Sequence, residues 1–160
     1  MEAGFHERVL RAAVEQGLLD DDTPLAAFVV TGAVERTIDA LKQAFPPHFE
    51  HMFAAKANAM RRAQELVRAS GMGCEVARPG ELEQALRAGF EPGQIVFDEP
   101  AKTPAALRRA LDLGVNMNID NFQEFERVRA MADRIGGAPS IGFRLNPQVG
   151  VGRIGAMSTA

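Results

Sequence analysis

Apolar and polar positions along this chain follow two alternating rhythms, short strand-like runs and longer stretches of helical period. An amphipathic opening (Val9, Leu10, Ala13, Val14, Leu18) gives way to the acidic cluster Asp20-Asp21-Asp22 and Pro24, and then to the strand-like run Leu25 to Val30. Thr31 is placed to cap a helix with Val34, Ile38, Leu41 and Phe45 on its apolar face, stopped by Pro46-Pro47. From here a unit repeats in pattern. Strand His51 to Lys56 precedes a helix with Met60, Ala63, Leu66 and Val67 on one face, closing at Gly71. Strand Cys74 to Ala77 precedes helix Pro79 to Ala88, with a proline suited to the first turn and Gly89 suited to the stop. Strand Ile95 to Phe97 leads to a helix with Thr103 as N-cap and Pro104 at its first position, ending at Gly114. Strand Val115 to Asp120 leads to a helix capped by Asn121, with Glu124 as capping-box partner and Gly136-Gly137 at its end; the fifth strand is Ile141 to Leu145.

Strand and helix alternating in this way predict parallel strands joined by crossovers, in a doubly wound sheet or a (β/α)8 barrel. Two details favour the barrel. In Val115 to Asp120 the apolar positions alternate with Asn116, Asn118 and Asp120, whereas an open sheet covered on both faces would be apolar on both. Lys56 and Arg144 also fall near the C-terminal ends of predicted strands, where barrel enzymes collect catalytic groups. A whole barrel takes about 250 residues and this chain has 160. The expectation is an α/β TIM-type barrel carried to about five of its eight βα units, preceded by a strand and helix. Its segments would be an N-terminal helical stretch over 1–22 and an incomplete barrel over 23–160.

Composition narrows the chemistry. A formal net charge of −3 supplies no basic field for a nucleic acid. There is no signal-peptide pattern and no apolar run of membrane-spanning length, so a cytoplasmic, non-membrane protein is expected. The single cysteine, Cys74, excludes an internal disulfide and reads as a small buried hydrophobe. Among three lysines, Lys42 and Lys102 fall in patterns that read as solvated helix or loop. Lys56, in Phe53-Ala54-Ala55-Lys56-Ala57-Asn58, stands where an apolar strand stops. A desolvated lysine there would keep a free amine suited to a Schiff base, while an ordinary strand-end lysine would lay its stem on apolar surface and its ammonium in water. Gly150-Val151-Gly152-Arg153-Ile154-Gly155 spells a dinucleotide fingerprint, yet no acidic residue follows at the required spacing, and a glycine-rich loop is the better reading. His48 and His51 lack partners at metal-ligand spacing.

The lysine motif resembles that of the fold-type III pyridoxal-phosphate enzymes, which include the diaminopimelate, ornithine and arginine decarboxylases and the alanine racemases. Further motifs follow in order: Thr23-Pro24-Leu25, Gly73-Cys74-Glu75-Val76-Ala77, Pro79-Gly80-Glu81-Leu82, Ile95-Val96-Phe97 with Ala101-Lys102-Thr103, Asn118-Ile119-Asp120, and Phe143-Arg144-Leu145-Asn146-Pro147. The similarity is greatest to the diaminopimelate decarboxylase-like branch. It implies decarboxylation of an amino acid with pyridoxal 5'-phosphate as cofactor and Lys56 forming the Schiff base. Glu75 matches an acidic position near the cofactor, usually aspartate, and Arg144 a strand-five arginine close to it; a structural Glu75–Arg144 ion pair is the alternative. Arg78 replaces a common Ser or Cys. The family's ring-stacking histidine, phosphate cradle, acid paired to the pyridine nitrogen and C-terminal domain have no counterpart here, so the sequence is expected to be the N-terminal part of a longer, homodimeric enzyme or a truncated gene product, inactive alone. An alanine-racemase-like racemase and a non-catalytic binding module are the other readings. Against racemisation, Met60-Arg61-Arg62 stands where racemases carry a Tyr-Gly-His stretch.

Overall fold

The computed structural model describes residues 4–136 and 138–145; Asn146-Pro147 and the glycine-rich stretch from Gly150 to Gly155 lie outside them. The chain divides into two compact units, Met1–Ala33 and Val34–Ala160. In the first, helix α1 (Phe5–Glu15) turns its Ala13 inward, and its own side chains with those of the following segment line an apolar hollow that includes Phe5, Leu10, Leu19 and Phe28. Leu25 to Val30 forms no strand, because no strand of the described residues offers it a ladder. The expected leading strand is therefore absent there. Helix α2 (Thr31–Ala44) begins with Thr31 itself rather than after it, and in the second unit its Ile38 is buried.

The second unit is a five-stranded, wholly parallel sheet with strand order β1-β2-β3-β4-β5. Strand β1 (Met52–Ala54) runs into a 3₁₀ turn (Ala55–Ala57) and helix α3 (Arg61–Ala69). It is followed by β2 (Gly73–Val76), α4 (Pro79–Arg87), a second 3₁₀ turn (Pro92–Gln94), β3 (Ile95–Phe97), α5 (Pro104–Leu113), β4 (Asn116–Ile119), α6 (Phe122–Ile135) and β5 (Ile141–Phe143). A doubly wound sheet reverses its strand order at a switch point, whereas a barrel adds each strand beside the last. The unbroken order makes this the arc of a barrel, five units long.

Local chemistry explains the boundaries. Pro79 and Pro104 open their helices where no amide partner is needed. Thr103 accepts from the Ala106 amide and Asn121 from the Glu124 amide, closing two helix starts. Glycines with φ of 74° to 87° at Gly71, Gly89, Gly114 and Gly136 turn the chain out of helices α3 to α6. The pleat then sorts the side chains. Cys74, Val76, Ile95, Phe97, Met117 and Ile119 are buried in one core with Val67, Leu82, Leu107 and Val128 from the helices. Glu75, Val96, Asn116 and Asn118, on the alternate positions, are only partly buried.

Cys74 is fully buried, and desolvation, helped by Glu75 and Glu81, pushes its thiol up to about 12. At mildly alkaline pH a thiol reagent should modify folded chain at least about a hundredfold more slowly than urea-unfolded chain, since the thiolate is the reacting form. Equal rates in a stopped-flow Ellman assay would mean that β2 is not packed as described.

Candidate functional site

The register brings the ends of the five strands to one level. Ala54 pairs with Glu75, Val76 with Phe97, Phe97 with Met117, and Ile119 with Phe143. The next residue after β3, β4 and β5 is in turn Asp98, Asp120 and Arg144, and the amides of Asp98 and Arg144 continue the ladder to the carbonyls of Val76 and Ile119 at 2.8 and 2.9 Å. Lys56 stands two residues beyond Ala54, in the 3₁₀ turn. The strand ends thus collect two cations and several carboxylates at the C-terminal rim of the arc, the rim on which barrels build active sites.

Arg144 Nε lies 3.6 Å from Asp98 Oδ1, and its Nη1 lies 3.6 Å from Asp120 Oδ1. Its ion-pair partners are therefore Asp98 and Asp120; Glu75, the partner weighed from sequence, makes no ion pair with it among the described residues. Glu75 still belongs to the same electrostatic group. Burial pushes its carboxyl above the ordinary value, Lys56 and Arg144 oppose the shift, and Asp98 and Glu81 add to it. Glu75 Oε1, Asp98 Oδ1 and Glu99 Oε2 are buried without a hydrogen-bond partner. Acceptors left so are costly unless a donor arrives. Lys56 is exposed, so the desolvation considered from its sequence context is not realised within this arc.

Two residues carry more than their sequence pattern suggested. Lys102, read as solvated, is 4% exposed. Its ammonium donates to the carbonyls of Glu99 (2.7 Å) and Asn118 (2.6 Å) and stands 3.3 Å from both carboxylate oxygens of Glu124, with the Phe97 ring centroid 5.8 Å away. Glu124, expected to bond back to the Asn121 amide, instead accepts from the Asp120 amide at 2.8 Å and from Lys102. The same device occurs two strands earlier, at the end of β2. The Ala77 amide donates to Glu81 four residues on, at 2.8 Å. The available signal was the shared spacing, a strand end followed at the fourth residue by glutamate in the first helical turn.

A family model described as the pyridoxal-dependent decarboxylase, pyridoxal binding domain, matches residues 31–160. The chain belongs to that family. It is 36% identical over 98 residues to the diaminopimelate decarboxylase of Pseudomonas aeruginosa, which covers 61% of this chain and 24% of that one. To the enzyme of the same name from Bacteroides thetaiotaomicron it is 32% identical over 123 residues, 75% of this chain and 32% of the other. The crystal structure of Helicobacter pylori diaminopimelate decarboxylase complexed with L-lysine superposes with a TM-score of 0.66 at 27% identity, over 72% of this chain and 30% of that one. The arginine decarboxylase of Paramecium bursaria Chlorella virus shares the fold, with a TM-score of 0.65 at 22% identity over 80% of this chain and 34% of that one. The chain spans about a quarter to a third of the length of these relatives. Among the described residues no helix is long and apolar enough to cross a membrane.

The upward shift at Glu75 has a definite sign. A carboxyl raised in the fold stabilises below its ordinary value of 4.5, and that stability is lost as pH rises through the raised value. Glu75→Gln, which cannot ionise, should therefore melt above the parent at neutral pH, and the gap should close as pH falls below about 4.5. Melting curves by circular dichroism across this range check it, and a gap that widens on acidification would contradict the burial argument.

Proposed function

We propose that this chain is the lysine-bearing part of a pyridoxal-phosphate-dependent amino-acid decarboxylase of the diaminopimelate decarboxylase type. The observation carrying the reading is the gathering of Lys56, Glu75, Asp98, Asp120 and Arg144 at one rim, with Glu75 Oε1 buried and without a hydrogen-bond partner. That acceptor fits a hydrogen-bond donor of a protonated cofactor or of an amino-acid ammonium. The bound cofactor would supply the electron sink that makes loss of carbon dioxide feasible.

Each residue then has a task set by its own chemistry. Lys56 supplies the amine that holds the cofactor covalently, and its place in a tight turn after a short strand limits where that amine can reach. Glu75, with its raised carboxyl, holds a proton more readily than a free glutamate does, and so can share one with a basic nitrogen. Arg144, fixed between Asp98 and Asp120, keeps a permanent positive charge at the rim. The substrate class is an amino acid with a second ammonium, because carboxylates outnumber cations here and favour a cationic side chain. The relatives of the diaminopimelate decarboxylase type agree with this choice.

Incubation with pyridoxal phosphate, reduction with borohydride and peptide mapping test the reading. Lys56 should take up label roughly tenfold or more over Lys42, an exposed lysine with no such surroundings. Lys56→Arg should abolish the label. Label divided evenly between Lys42 and Lys56 would overturn the assignment. In the complete enzyme, carboxyl-labelled diamino acid should release labelled carbon dioxide, and racemisation without release would point to the wrong reaction.

A further inference from the structure

Lys102 is the one lysine or arginine buried among the described residues, and nothing in the proposed chemistry uses it. Its contacts reach three separate pieces of chain. The Glu99 carbonyl belongs to the turn that follows β3 and carries Asp98, and the Asn118 carbonyl belongs to β4, two residues before Asp120. Glu124 belongs to the first turn of α6, and it also accepts the Asp120 amide. An ammonium has three donors and no acceptor, and here it meets two carbonyls and one carboxylate. Two of these three pieces carry an aspartate that pairs with Arg144, Asp98 beside Glu99 and Asp120 just beyond β4, each at 3.6 Å.

We propose that Lys102 is a positioning residue for the strand-end site, its ammonium joining the β3 and β4 ends so that Asp98 and Asp120 hold the Arg144 guanidinium between them. The inference rests on reading this rim as the cofactor site, but its geometric half can be tested without cofactor. A short surface lysine would serve solubility alone and need no such enclosure. Burial with every donor directed at a named acceptor is instead what holds two loops in one arrangement. Because Lys102 donates to backbone carbonyls rather than to the aspartates themselves, the Asp98 and Asp120 carboxylates remain available to Arg144.

The experiment compares the parent chain with Lys102→Met and with Lys102→Met/Glu124→Gln. The second variant removes the unpaired buried carboxylate yet keeps an acceptor for the Asp120 amide. Backbone amide protection in β2 reports the fold, and exchange of the Arg144 Nε–H with water, assigned through its loss in Arg144→Lys, reports the guanidinium. Both variants should keep β2 protection while Arg144 exchange rises roughly tenfold, and the dissociation constant for pyridoxal phosphate, read by absorbance, should rise by a similar factor. Arg144 exchange within twofold of the parent in a folded variant overturns the proposal. So does unchanged cofactor affinity alongside faster exchange, and so does failure of both variants to fold, which would make the pair a support of the core alone. If the parent itself binds no cofactor, the functional reading fails, and the Arg144 measurement still decides the role of Lys102.

Discussion

The site depends on parallel strands that stop together. Because the register pairs Ala54 with Glu75, Val76 with Phe97, Phe97 with Met117 and Ile119 with Phe143, each strand delivers its next residues to the same level. Side chains alternate across a strand, so a slip of one residue would exchange the buried and the polar sets wholesale. Val76, Phe97, Met117 and Ile119 pin the register by filling the space under the helices, and full burial of one such side chain contributes roughly 1.5–3 kcal/mol. The polar rim is therefore held by apolar packing on the opposite face. Asp98, Asp120 and Arg144 meet because the core beneath them leaves the strands no other alignment.

Bringing carboxylates together at such a rim has an electrostatic cost, and the structure distributes it unevenly. Asp98 and Asp120 share Arg144, while Glu75 meets the cost through its upward shift, which favours the neutral form. Deeper in, Lys102 and Glu124 neutralise each other with side chains almost wholly removed from water. Two charges in that environment bring desolvation penalties that an apolar pair would avoid, and losing one partner of such a pair costs about 3–5 kcal/mol. The pair is thus a strong constraint on geometry and a modest source of net stability. Its value lies in what it holds, the carbonyls of Glu99 and Asn118 and the amide of Asp120.

Local signals were legible and long-range ones were not. Pro79, Thr103-Pro104, Asn121 and the stopping glycines act within a turn of their own position, so the sequence pattern located the helices closely. The alternation in Val115 to Asp120 correctly separated a core face from a polar face. Leu25 to Val30 misled because an apolar run describes a strand's side chains and says nothing of its hydrogen-bond partner. Lys102 misled for a related reason. Its acceptors are Glu99, Asn118 and Glu124, the last 22 residues away, and hydropathy alone assigns any lysine to water. Gln64, which is not among the apolar positions read for its helix, is likewise fully buried on α3. For the rim itself, motifs pointed to Lys56, Glu75 and Arg144, whereas Asp98 and Asp120 emerged as the partners of Arg144 only once the strands were aligned.

The charge balance at the rim also bears on how a complete site divides its labour. Arg144 pairs with Asp98 and Asp120, and Glu75 adds a third carboxyl beside Lys56 and Arg144, so carboxyl groups outnumber the cations at the rim. A phosphate brought here would meet like charge at close range, with few backbone amides left over, since those of Asp98, Asp120 and Arg144 already serve other acceptors. The buried, unsatisfied oxygens call instead for donors, and a protonated nitrogen supplies them. Under the proposed function, the described part of this arc suits the proton-bearing end of a cofactor and an ammonium-bearing substrate better than it suits a phosphate. On that proposed division, Lys56, in the turn after β1, and the acids at the ends of β2 to β4 follow neighbouring strands of one continuous sheet, whose register fixes their spacing directly.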